Sequence, residues 1–228
     1  YFIAPAPLLV PLPAAIADEA AAQLIAMPLS ALMLLEFLGV ESGDWIVQNT
    51  ANGAVGKTLA MLAAARGVHT INLVRRDAGV DEPAALGIAN AVSTAQPDWK
   101  EKVRALAGDA SLRAAVDSIG GKASGDLLAL LGEGGLLVSF GTMAGEPMQI
   151  ASGDLIFKQA TVKGFWGSKV SAALSVDDKR RLIGELLGLA ASGTLKLPVE
   201  AVYDLADVSQ AAAASLQPGR KGKVLLRP

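Results

Sequence analysis

From Gly43 onward, short apolar runs alternate with longer stretches in which apolar residues recur every three or four positions. Trp45-Ile46-Val47-Gln48-Asn49 predicts a strand, Ala54 to Arg66 a helix closed by Gly67, and Thr70 to Val74 a second strand. A weaker third strand, Ala91-Val92, is followed by a helix from Trp99 to Ala107. Ala114 to Ile119 predicts a fourth strand and Ser124 to Leu131 its helix. Leu136 to Phe140 and Ala160 to Phe165 predict the fifth and sixth. Short apolar strands separated by helices need crossover connections, so the pattern predicts an α/β fold with a doubly wound parallel sheet covered on both faces.

The two ends follow a different pattern. Val199 to Leu205 and Gly222 to Leu226 predict strands around a short helix at Val208 to Leu216. Tyr1 to Pro13, with prolines at 5, 7, 11 and 13, suits an extended connector or an edge strand. The uncharged stretch Ala20 to Leu35 carries Gln23 and Pro28 and is too short for a comfortable membrane span, so it predicts a buried helix. The expected division is a β-rich remnant over residues 1–22, a nucleotide-binding unit over 23–170, and C-terminal helices returning to the β-rich unit over 171–228. Most of that β-rich unit is expected upstream of Tyr1.

Composition narrows the chemistry. With 228 residues, 52% apolar and 18% charged, the chain can bury a substantial core and is not disordered. Lysine plus arginine number 20 against 22 acidic residues, a balance that argues against a nucleic-acid partner. Cysteine is absent, which removes disulfides, thiol nucleophiles and thiolate metal sites, and one histidine does not build a zinc site alone. No metal and no membrane partner are expected. The expected location is the cytoplasm, or the mitochondrion if the source is eukaryotic.

The most informative stretch is Asn49-Thr50-Ala51-Asn52-Gly53-Ala54-Val55-Gly56-Lys57, directly after one predicted strand and opening a helix. Glycines there let backbone amides approach a pyrophosphate, and the helix N-terminus favours its charge. Only two glycines of the three-glycine Rossmann fingerprint are present. Gly56-Lys57-Thr58 is not a P-loop, because residue 51 is alanine where that motif needs glycine. The alternative is a tight turn that binds nothing. At the end of the second strand, where NAD enzymes place an acid on the ribose, the chain has Val74-Arg75-Arg76-Asp77. Guanidinium groups there suit a 2′-phosphate, hence NADPH, unless the pair is simply solvated. His69 reads as a surface or capping residue, Asp117 as a strand-end polar group and Asp126 as a helix N-terminal acid.

These segments resemble the 2-enoyl thioester reductase branch of the medium-chain dehydrogenase/reductase superfamily. The resemblance rests on residues 43–49, the turn at 51–56 and Thr70 to Arg75. It extends over Gly134 to Met143, Ile156-Phe157-Lys158 and Gly164-Phe165-Trp166. It implies a Rossmann-like cofactor domain, a zinc-free homodimeric oxidoreductase and NADPH-dependent reduction of trans-2-enoyl thioesters. A quinone oxidoreductase of the same superfamily is the alternative, and a nucleotide-binding redox sensor without turnover is a further one. The implied cofactor contacts are Asn52, Gly53, Ala54 and Val55 for the pyrophosphate, and Arg75 and Arg76 for the 2′-phosphate. Phe140, Gly141, Thr142 and Met143 would lie beside the nicotinamide, Phe165 and Trp166 at the cofactor–substrate boundary, and Lys223 near the end of the chain. The branch's catalytic tyrosine belongs to the upstream part, so no catalytic residue is assigned. Three departures stand out: Met27 where the branch has asparagine, the arginine pair of Arg75-Arg76-Asp77 in place of an arginine–acid–arginine run, and Gly167 where a larger apolar residue is usual. The homodimer is expected to form along Ala160 to Phe165.

Overall fold

The structure, a computed structural model, describes residue 3 and residues 9–228. Its strands are β1 (Trp45–Gln48), β2 (His69–Val74), β3 (Ala91–Ser93), β4 (Leu112–Asp117), β5 (Leu136–Ser139), β6 (Thr161–Gly164), β7 (Val199–Asp204) and β8 (Lys223–Arg227). Its helices are α1 (Asp18–Leu24), α2 (Met27–Leu38), α3 (Ala54–Ala65), α4 (Asp81–Ala84) and α5 (Trp99–Ala107). The series continues with α6 (Lys122–Leu130), α7 (Ser152–Lys158), α8 (Gly167–Ala173), α9 (Val176–Ala191) and α10 (Val208–Ser215).

Six strands form one sheet in the order β3-β2-β1-β4-β5-β6, with every neighbouring pair parallel. This is the doubly wound Rossmann order, with the topological switch between β1 and β4. Alternate residues of the central strands enter opposite cores. Ile46, Ala114, Val116 and Val138 pack into the layer built by α1, α2, α3 and α9. Val47, Ala115 and Leu137 pack into the layer of α5 and α6. Burial on both faces explains the near-continuous apolar strands in the sequence. β7 and β8 pair parallel to each other in a separate two-stranded sheet, with α10 between them in the chain.

The predicted helix over Ala20 to Leu35 is two helices, α1 and α2, meeting at a 47° bend. Pro28 at the start of α2 lacks the amide that a continuous helix would need, and its fixed φ suits a new first turn. The pair is apolar enough to resemble a broken membrane span, but Leu32, Leu34 and Leu35 are buried in the protein core. Most of the expected extended segment Tyr1 to Pro13 lies outside the described residues, and residues 9–13 form no strand. β4 begins two residues earlier than expected and stops at Asp117, because residues 118–121 turn sharply through Gly120 and Gly121, both at positive φ. Asp126 sits in the second turn of α6, not at its N-terminus, and pairs with Lys100 and Lys122. His69 is exposed and stacks on Trp45 with ring centroids 4.7 Å apart.

A four-residue charge network joins α2, α3 and α9. Arg66 forks onto Glu185 at 2.9 and 2.7 Å and reaches Glu36 at 3.0 Å. Arg181 forks onto the same Glu36 at 2.7 and 2.9 Å. The Arg181 hydrogen bond, with Arg66 behind it, holds the Glu36 carboxyl below its ordinary range against the opposing effect of burial. A carboxyl whose folded pKa is depressed contributes stability above its unfolded pKa and loses it as pH falls through the folded value. We expect Glu36→Gln to cost about 1 kcal/mol at pH 7, a modest value because the group is only partly buried. In urea titrations this difference from wild type should shrink below about pH 4; a constant difference down to pH 3 would remove Glu36 from the acid response.

Candidate functional site

The site is assembled where the loops leave the carboxyl ends of β1, β2, β4 and β5. After β1 the chain turns through Thr50, at φ 52°, and enters α3 from Gly53. The Ala51 amide donates to Leu73 O at 3.1 Å, which ties the turn to β2. Gly56 brings α3 close to this turn. A Cβ at that position would stand 2.8 Å from Ala51 Cα and 2.8 Å from Thr50 O, both backbone atoms unable to retreat. No side chain caps the start of α3, so the first-turn amides keep their donors free and the positive end of the helix faces outward.

A buried polar cluster fixes the neighbouring loop. Asp117, with no solvent exposure, accepts from Asn49 Nδ2 at 2.6 Å, from Ser124 Oγ at 2.5 Å and from the Ile119 amide at 2.9 Å. The Gly120 amide reaches both carboxylate oxygens at 3.2 and 3.3 Å. Asn49 Oδ1 accepts from the Ser118 amide at 2.7 Å. The loop after β5 is laid onto this frame: Phe140 and Gly141 amides donate to Asp117 O, and the Met143 amide to Ser118 O at 3.1 Å. A Cβ on Gly141 would lie 2.9 Å from Ser118 O, so glycine is what allows the two loops to touch.

These loops enclose a cavity of about 630 Å³. Asn52, Gly53, Ala54, Val55, Arg75, Arg76, Phe140, Gly141, Met143 and Lys223 all line it. It continues into a cavity of about 740 Å³ toward α1, α2 and the segment before β8, with Asn52, Gly53, Ala54, Arg75, Met143 and Lys223 common to both. Three residues expected at the site do not line either cavity. Thr142 points to solvent. Phe165 is buried between Phe37, 5.3 Å away edge-on, and Phe140, 5.8 Å away. Trp166 precedes α8 and is 68% exposed.

The electrostatics of the cleft are positive. Neither Arg75 nor Arg76 lies within salt-bridge distance of a carboxylate among the described residues. The acid that follows them is turned elsewhere. Asp77 is drawn to the β3 side, where Ser93 and Gln96 bond its carboxyl and hold it below the ordinary carboxylate range. Asn52 donates to Gly79 O at 2.9 Å, while its Oδ1 is buried without a partner. An unpaired buried acceptor is costly and suits a hydroxyl donor from outside the chain.

The Zinc-binding dehydrogenase family model matches residues 54–181, more than half of the chain. The chain belongs to this family, within the medium-chain dehydrogenase/reductase superfamily. It is 38% identical over 190 residues to an Arabidopsis thaliana protein named mitochondrial enoyl-[acyl-carrier-protein] reductase, covering 81% of this chain and 50% of that one. A human protein of the same name is 32% identical over 223 residues, covering 96% of this chain and 60% of that one. The chain thus spans 50–60% of the length of these curated relatives. Escherichia coli quinone oxidoreductase, solved with NADPH, superposes with a TM-score of 0.81 at 25% identity, over 96% of this chain and 68% of that one. Despite the family's name, the described residues hold no group of three or more histidine, cysteine, aspartate or glutamate side chains that could bind a metal.

Sequence reasoning missed Glu82, Lys221 and Gly219, which also line the cleft. They come from α4 and from the loop before β8, whose approach to the turn is a long-range contact with no local signature. Lys57 did carry a signal: it is the lone charged residue within the buried run of α3.

Proposed function

We propose that this chain is the cofactor-binding part of an NADPH-dependent, zinc-free reductase that acts on an activated carbon–carbon double bond, most specifically that of a trans-2-enoyl thioester. The observation that carries the reading is the uncapped start of α3 opening onto the same cavity as Arg75 and Arg76. The cradle fits the cofactor: Gly56 permits the turn, the first-turn amides offer donors to a pyrophosphate, and the two guanidiniums suit a 2′-phosphate. Bound NADPH would supply the hydride, delivered to the β-carbon of the enoyl group. Phe140, Gly141 and Met143, held on the Asp117 frame, would form the wall beside the nicotinamide. The catalytic proton donor is assigned to the part of the protein upstream of this chain. Residues 1–22 and 171–228 are read as belonging with that part, a reading supported by β7 and β8, which pair with each other and not with the six-stranded sheet.

The enoyl thioester is favoured over a quinone by the names of the relatives at 38% and 32% identity. The quinone reading is supported by the likeness to the bacterial quinone oxidoreductase. Those relatives' names also favour a mitochondrial setting for a eukaryotic source. A homodimer along β6 is supported by the exposure of that edge strand and by Ile156 and Phe157 on α7, which are 62% and 84% exposed.

Three measurements test the proposal. Arg75→Ala should weaken NADPH binding about ten- to hundredfold, the loss of a charge-assisted contact of about 1.5–3 kcal/mol, and leave NADH nearly unchanged. Equal losses for both cofactors would take Arg75 out of phosphate recognition. With the full-length protein, a steady-state panel of C4 to C12 enoyl-CoAs and simple quinones should show NADPH oxidation with the thioesters; turnover with quinones alone would give the site to the second reading. Light scattering at micromolar concentration should return twice the chain mass, and a monomer would contradict pairing along β6.

A further inference from the structure

Lys57 lies in the first turns of α3 with only 5% of its surface exposed. A buried ammonium is costly unless paired, and the positive end of a helix makes this position less favourable still. Two partners offset the cost. Lys57 Nζ pairs with Glu82 Oε1 on α4 and donates to Lys221 O at 3.0 Å, in the loop before β8. One ammonium therefore joins the nucleotide turn, the segment after β2 and the returning C-terminal strand. Its position also bears on the cleft. Glu82 lines the same cavity as Arg75 and Arg76, where a doubly wound protein reads the ribose end of its nucleotide.

A carboxylate at that end of the cleft is the group that receives ribose hydroxyls in NAD enzymes, and it repels a 2′-phosphate. Here Lys57 occupies it. We propose that Lys57 is a specificity-determining positioning residue: by engaging Glu82 it withholds a carboxylate that would otherwise favour NADH, and so sets the ratio of NADPH to NADH affinity. The inference rests on the reading of this cleft as a nicotinamide dinucleotide site. It goes beyond Arg75 and Arg76 by placing part of the discrimination in a residue that acts through Glu82.

Titration of both reduced cofactors into the full-length protein, followed by nucleotide fluorescence without substrate, tests it. Lys57→Met keeps the length of the side chain and removes the charge, leaving Glu82 partly solvated. The affinity ratio should move toward NADH by about tenfold, the scale of one partly screened charge. Glu82→Gln should move the ratio the other way by several-fold, because the Lys57 charge stays and the carboxylate is gone. The double variant should return close to the wild-type ratio. General damage to the fold would weaken both cofactors together, so a ratio unmoved by either single change, or moved in the same direction by both, overturns the proposal. Should Lys57→Met fail to fold, the direction of Glu82→Gln decides alone. The wild-type ratio separately tests the NADPH reading: a preference for NADH would end that reading, while the opposite displacements of the two variants would still be read against it.

Discussion

The geometry of the cleft depends on one buried carboxyl. Asp117 ends β4 without any solvent exposure and, among the described residues, without a salt-bridge partner, so its lone pairs must be met by donors drawn from the surrounding chain. Asn49 just after β1, Ser124 from α6 and the amides of Ile119 and Gly120 all turn toward it. This is a demand as much as a stabilisation. Satisfying it fixes the relation between the turn after β1 and the loop after β4. The loop after β5 then hangs its first amides on the carbonyls of Asp117 and Ser118. Three of the loops that bound the cleft are therefore one hydrogen-bonded unit before any ligand arrives, which is the pre-organisation that a binding site needs.

A second buried polar chain does the same on the other side of β1. Gln48 Nε2 donates to Gly56 O and to Asn72 Oδ1, both at 2.8 Å. Asn72 passes the connection to Thr70 Oγ1 at 3.0 Å and to Ala89 O at 2.8 Å. The close approach of α3 allowed by Gly56 and the register of β2 beside β1 are thus fixed by the same side chains. Polar residues in the middle of parallel strands would be a liability without this complete pairing. Here they aim the start of α3 at the end of β2, where Arg75 and Arg76 emerge.

The fold was legible because parallel strands buried on both faces write themselves as apolar runs, and because glycines mark the turns into and out of α3. Its errors have local causes. Ile25 and Ala26 are as apolar as the helices they separate, so nothing but Pro28 announced the bend. Asp117 does end its strand as expected, while its burial was not legible, because sequence gives its type and not its surroundings. For the candidate site, the turn residues and the arginine pair were readable since each follows its strand directly. Phe165 carries the same aromatic signal whether it lines a cleft or packs between Phe37 and Phe140, and the structure places it in the core. Glu82 and Lys221 were unreadable: they lie 25 and 164 residues from Lys57, and only the completed fold brings them together.

The charge of the chain and the charge of the cleft are separate quantities. The protein as a whole carries a slight excess of acid. Within the cleft, however, Arg75, Arg76, Lys221 and Lys223 face a single carboxylate, Glu82, which is itself paired. Asp77, the acid nearest to the arginines in sequence, is held by Ser93 and Gln96 on the side of β3. Two acids that could have cancelled the guanidiniums are each engaged by a neighbour. With both acids engaged by other partners, the positive potential survives at short range, where salt screens it least. An anionic ligand would meet cations whose partners are already elsewhere, so little protein reorganisation would accompany its binding.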